Sequence, residues 1–128
     1  MGKHKILIVD DLPQNLQLMR QVLAGDYQLS FATDGELAIA AAEKHMPDLI
    51  LMDIMMPNMD GYEFATHVRN DERVSDVPII MITSRVGDKH RARAIELGVN
   101  DYLGKPYQDS QLLDAMRRLL EERGIQLQ

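Results

Sequence analysis

The sequence has no cysteine, which excludes disulfides, thiolate metal sites and a thiol nucleophile and agrees with a reducing, cytoplasmic setting. It also lacks a basic excess: 14 Lys and Arg stand against 20 Asp and Glu, for a formal charge of -6. A sequence-independent grip on nucleic acid or anionic lipid is therefore disfavoured, and no direct DNA binding is expected. No apolar run approaches the ~20 residues that cross a membrane. The basic start Met1-Gly2-Lys3-His4-Lys5 is followed only by Ile6 to Val9 before Asp10 and Asp11, too short for a targeting segment, and Ile6 stands where a myristoylation motif wants Ser or Thr. Repeats and low-complexity tracts are missing as well. The histidines His4, His45, His67 and His90 show no paired ligand spacing, so neither a histidine metal site nor a phosphohistidine carrier is indicated. What remains, at 128 residues, is one domain over 1–128 with its core between about 4 and 123, and no room for a second module.

Short apolar, β-branched-rich runs recur at Lys5 to Val9, Tyr27 to Ala32, Asp48 to Met52, Pro78 to Thr83 and Asn100 to Gly104. Between them the apolar spacing is helical. The first helix is expected from Pro13 to before Gly25, turning Leu16, Met19, Val22 and Leu23 inward. The second follows Thr33-Asp34-Gly35 and uses Leu37, Ala38, Ala41 and Ala42 against the sheet. The third runs from about Tyr62 to Asn70, the fourth from Asp88 to Leu97 before Gly98, and the fifth from Ser110 to Arg123 before Gly124, with a stripe of Leu112, Leu113, Met116, Leu119 and Leu120. Five strands alternating with five helices predict an α/β, doubly wound parallel sheet covered on both faces with right-handed crossovers. The nine methionines read as core filling.

In such sheets ligands bind outside the carboxyl ends of the strands. The first strand ends in Asp10-Asp11, the third in Asp53, the fourth in Thr83-Ser84 and the fifth in Gly104-Lys105-Pro106. Alone, each has a bland reading: a helix N-cap for Asp10 or Asp11, a turn residue for Asp53, a strand end for Thr83, a solvated charge for Lys105. Together they crowd three carboxylates at one sheet edge, which repel unless a cation is present. Mg²⁺ (or Mn²⁺) suits this all-oxygen set, and a hydroxyl and an ammonium beside it complete a phosphate site. The chemistry suggested is attack by Asp53 on a phosphoryl group, with charge neutralised by the metal, Lys105 and Thr83.

Asp10-Asp11, Asp53-x-x-Met56-Pro57-x-x-Asp60-Gly61, Thr83 and Lys105-Pro106, in this order and spacing, resemble the receiver domain of two-component response regulators over nearly the whole chain. The resemblance implies a flavodoxin-like sheet of order 2-1-3-4-5. It implies Asp53 as phosphoacceptor, Asp10, Asp11, Asp53 and the Met55 backbone C=O as the Mg²⁺ ligands, and Thr83 and Tyr102 as switch residues. It further implies Lys105 as the phosphate-binding cation, Pro106 as a cis-proline, and Met55, Ser84 and Arg85 as residues flanking the phosphoryl group. Implied partners are a histidine kinase or phosphotransfer domain and an output partner at the fourth helix, fifth strand and fifth helix, with a phosphorylation-dependent dimer compatible with the pattern. Lys89, His90, Arg91 and Arg93 form a basic patch there, which would favour an acidic partner in a salt-sensitive way; a solvated helix face is the bland alternative. Tyr102 could equally be a half-buried aromatic with its hydroxyl in water. The segments Thr83 to Arg85 and Leu103 to Tyr107 are also similar to receivers fused to chemotaxis-type hybrid kinases.

The implied function is a phosphorylation-activated switch that assists its own phosphorylation and hydrolysis, not a turnover enzyme. An aspartate-nucleophile phosphatase of the haloacid dehalogenase type is the alternative, although it would want Asp where Met55 stands. A nucleotide or flavin binder is disfavoured because Asp10-Asp11-Leu12-Pro13 has no glycine. A receiver-like scaffold that is never phosphorylated is argued against by the complete residue set.

Overall fold

The structure is a computed structural model that describes residues 3–52, 61–83 and 88–122. Elements alternate as β1 (Lys5–Val9), α1 (Pro13–Leu23), β2 (Gln28–Ala32), α2 (Gly35–His45), β3 (Leu49–Met52), α3 (Gly61–Asn70), β4 (Ile79–Thr83), α4 (Asp88–Glu96), β5 (Asp101–Gly104) and α5 (Asp109–Glu122). All four strand pairings are parallel, and the order is β2-β1-β3-β4-β5.

The unbroken apolar strands are explained by burial on both faces. Because successive strand side chains alternate, Leu49 and Leu51 join Ile6, Ile8, Ile80 and Ile82 in a core completed by Leu23 of α1 and Leu112, Ala115, Met116, Leu119 and Leu120 of α5. Ile50 and Met52 point the other way, into a core with Leu7, Val9 and Met81 that α2, α3 and α4 cover through Ala38, Ala42, Phe64, Val68 and Ala94. Each such fully buried Leu or Ile contributes about 1.5–3 kcal/mol, so β3 is pinned at the centre.

One packing expectation is corrected, and the inward face expected of α1 is found. Leu37 is 54% exposed. Asp34 accepts the Leu37 N–H at 2.8 Å and starts α2 at Gly35, a cap worth about 1 kcal/mol. That phase turns Gly35, Ala38 and Ala42 inward, with Ile39 beside them, and leaves Leu37 about 100° around the helix. On α1 only Leu23 is buried; Leu16, Met19 and Val22 are half-buried against the core. The α4 helix ends in a Schellman arrangement, in which Val99 N–H donates to Ala94 O and Gly98 N–H to Ile95 O, both at 3.0 Å. Gly98 takes φ +97° there, and α2 ends on Met46, a non-glycine residue at φ 50°.

An arginine fixes the opposite edge of the sheet from the strand C-termini. The Arg69 guanidinium of α3 donates to Gly98 O (Nε 3.0 Å, Nη2 2.6 Å), to Val77 O at 2.6 Å, to Ser75 O at 3.1 Å and to Asn100 Oδ1 at 2.7 Å. Asn100 Oδ1 also accepts the Ile79 N–H at 2.9 Å, so one fork aligns the entries of β4 and β5. Elsewhere Arg73 pairs with Glu43, tying the loop after α3 to α2.

Candidate functional site

Parallel register brings the carboxyl ends of four strands to one edge: Val9 pairs with Met52, Met52 with Met81, and Thr83 with Gly104. Asp10, Asp53 and Lys105 are the residues that next follow Val9, Met52 and Gly104 in sequence. Asp53 lies outside the described residues, as do Met55, Ser84 and Arg85 and the segment through Asp60.

The Asp10 N–H extends the β1–β2 ladder by donating to Ala32 O at 3.1 Å. The residue is buried at 8% exposure. Oδ1 accepts the Leu12 N–H at 3.0 Å and Oδ2 accepts Asn15 Nδ2 at 3.1 Å. Asp10 is thus held by a local turn and is not the N-cap of α1. Leu12 occupies the cap position without a side-chain bond, with Pro13 inside it; a proline has no N–H to offer there. Asp11, next to it, is partly exposed.

Lys105 enters from the far side. Its N–H donates to Thr83 O at 2.8 Å, its bond to Pro106 is cis, and its Nζ lies 4.0 Å from Asp10 Oδ2. Since β3 and β4 lie between β1 and β5, this ammonium crosses the ends of both strands to reach the carboxylate. The Asp10 carboxylate already accepts from Leu12 N–H and Asn15 Nδ2, and the ammonium adds a positive charge facing it. Thr83, 1% exposed, is one of two buried polar residues among those described, Asp10 being the other.

Tyr102 is 6% exposed. Its ring belongs to the core with Ala94 and Tyr62, which corrects the half-buried alternative: register with Met81 in the next strand points it into the α4 side of the sheet. Beside the site a cavity of about 500 Å³ opens between α1 and α5, with Asp10, Asn15, Lys105, Tyr107 and Asp109 at its polar end and Met19, Val22 and Leu112 along its wall. Tyr107 donates its hydroxyl to Met19 Sδ at 3.7 Å. Its phenol pKa is raised, first by burial and then by the charges of Asp109 and Asp10.

Asn15, Arg69 and Tyr107 have no motif that marks them in the sequence. Asn15 could have been sought as the amide in the first turn of α1 that can reach back to Asp10. Of the basic patch, Lys89, Arg91 and Arg93 are exposed, and Arg93 also stacks on the Tyr62 ring with Cζ 4.8 Å from its centroid. At β5 and α5, Arg118 Nη2 meets Asp101 Oδ2 at 2.5 Å. No helix among the described residues is long and apolar enough to cross a membrane.

Comparison with known proteins matches residues 6–117 to the family described as the response regulator receiver domain. The chain is 37% identical over 116 residues to the response regulator PleD of Caulobacter vibrioides, covering 90% of this chain and 26% of PleD, so it spans about a quarter of that relative. A putative response regulator from Chloroflexus aurantiacus superposes with a TM-score of 0.88 at 31% identity, covering 94% of this chain and 99% of the other. The receiver domain of the sensor histidine kinase PA1611 from Pseudomonas aeruginosa, described with a magnesium ion coordinated in its active-site cleft, superposes with a TM-score of 0.86 at 32% identity, covering 94% and 99%.

Proposed function

The chain belongs to the response regulator receiver family, a family of phosphorylation-dependent signalling domains, and from that premise we propose that Asp53 is its phosphoacceptor and that Mg²⁺ assists the transfer. The observation that carries the reading is the gathering of Asp10, Thr83 and Lys105 at the carboxyl edge of the sheet, on both sides of the strand that leads into Asp53.

In the proposed step a carboxylate oxygen of Asp53 attacks phosphorus of a phosphohistidine or a small phosphodonor. The new P–O bond forms as the donor's bond to phosphorus breaks, and the leaving group takes that electron pair and a proton. The nucleophile is already ionised at neutral pH, so no general base is required. Lys105 neutralises charge on the equatorial phosphoryl oxygens, and Thr83 offers them a hydroxyl donor. Asp10 and Asp11 supply hard carboxylate oxygens, the donor chemistry that Mg²⁺ or Mn²⁺ takes; with Asp53 and the Met55 C=O they would hold the ion. When bound, the metal supplies charge neutralisation at the phosphoryl group.

A phosphoryl group adds roughly −1.5 to −2 charges and strong acceptors. Thr83 is drawn toward them, and because Tyr102 is already inside, the change reaches the surface through α4, β5 and α5. A histidine kinase or phosphotransfer domain is the proposed donor. Incubation with acetyl phosphate, with and without Mg²⁺, tests the reading by intact mass: one phosphoryl group adds to the wild type only with the metal and never to Asp53→Asn.

A further inference from the structure

Tyr62 is the second residue of α3, two residues after Asp60. The residue is buried at 8% exposure, and its hydroxyl makes no hydrogen bond among the described residues. Arg93 of α4 lies over its ring, with the guanidinium carbon 4.8 Å from the centroid. The next residue, Ala94, is fully buried in the same core as Tyr62 and Tyr102. Two opposing terms thus act on one side chain. The ring-to-guanidinium attraction favours the arrangement, while a buried hydroxyl without a partner disfavours it relative to any arrangement in which that hydroxyl meets water or an acceptor.

We infer that Tyr62 and Arg93 form a latch that positions α4 on α3 in the resting protein and that phosphoryl binding at the sheet edge releases. The inference rests on the phosphorylation reading above. Release frees the hydroxyl from its unpartnered burial, which offsets part of the lost cation–π contact and keeps the two arrangements close in free energy. Ligand and latch are then reciprocally coupled: whatever strengthens the latch weakens phosphoryl binding, and whatever removes it tightens binding. Arg93 is a positioning residue in this account and touches no reacting atom. An ordinary core tyrosine beneath a surface arginine would show no such coupling.

The full chain is titrated with beryllium fluoride in the presence of Mg²⁺, a mimic of the acyl phosphate, and bound fluoride is read by ¹⁹F NMR; thermal unfolding is measured without the probe. Tyr62→Phe keeps the ring and deletes the hydroxyl, so it should raise the unfolding midpoint and weaken beryllofluoride binding by about fivefold or more. Arg93→Met keeps an apolar stem without the charge and should tighten binding by a similar factor, while Arg93→Lys, which retains a cation over the ring, should stay near wild type. Unchanged affinity in Tyr62→Phe, or shifts of the same sign in Tyr62→Phe and Arg93→Met, would overturn the latch and leave the phosphoacceptor reading standing. A wild type that binds no beryllofluoride would overturn that reading, and the latch with it.

Discussion

Lys105 Nζ lies 4.0 Å from Asp10 Oδ2 although their strands are separated in the sheet by β3 and β4. The contact is long and the lysine side chain is about one-third exposed at 32%, so as a salt bridge it is worth well under ~1 kcal/mol. Its use is positional: it holds an ammonium over the end of the strand that leads into Asp53. Lys105→Met should therefore leave the unfolding midpoint nearly unchanged while slowing phosphorylation by acetyl phosphate by about 10²-fold, the usual cost of losing one charge-stabilising donor. Initial rates by intact mass, beside a melting curve, measure both.

At the other edge the expectation reverses. A Cβ on Gly98 would stand 2.8 Å from Arg69 Nε at φ +97°. Gly98→Ala should cost about 2 kcal/mol from the left-handed backbone alone, and more if Arg69 is displaced from the carbonyls of Ser75, Val77 and Gly98. Urea unfolding should show the loss, with beryllofluoride affinity of the folded fraction unchanged.

Alkaline stability should depend on Tyr107. Its folded pKa is raised above the usual 10.0 by burial and by Asp109 and Asp10. The unfolded chain therefore ionises first, and the stability that this phenol contributes is complete below pH 10 and lost as pH rises through the folded value. Tyr27, raised chiefly by burial, acts in the same direction. Tyr107→Phe should make the alkaline fall in stability shallower, as chemical denaturation across pH 9 to about 12 would reveal, because about pH 10 is where a free phenol titrates.

Much of the architecture is legible because burial on two faces leaves unbroken runs: Ile6 to Val9, Leu49 to Met52 and Ile79 to Ile82 can belong only inside a covered parallel sheet. The convergence of Asp10, Thr83 and Lys105 follows from strand polarity alone. Helix faces are less legible. Leu37 is as apolar as Ile39, and only the Asp34 cap, which sets the starting phase of α2, decides which one meets the sheet. Contacts made by long side chains leave no periodic trace either, so Arg69 reads as one more surface charge until its five hydrogen bonds are seen, and Arg93 reads as part of a patch until its ring contact is seen.

Met55 stands two residues after Asp53, and its thioether cannot orient a water for attack on the acyl phosphate as an amide could. Met55→Asn should shorten the phosphoryl lifetime by several-fold, read by loss of the mass adduct after the phosphodonor is removed. An unchanged decay would show that Met55 does not set the lifetime.

In the proposed mechanism the phosphoryl group resides on Asp53. Borohydride reduces an acyl phosphate to the alcohol, converting a phosphorylated aspartate into homoserine at the same position. After treatment with acetyl phosphate and Mg²⁺, reduction and peptide sequencing by mass spectrometry should find homoserine at position 53 and nowhere else. Homoserine at position 10 or 11, or a stable phosphoryl group on a histidine or hydroxyl residue with position 53 unmodified, would contradict the account.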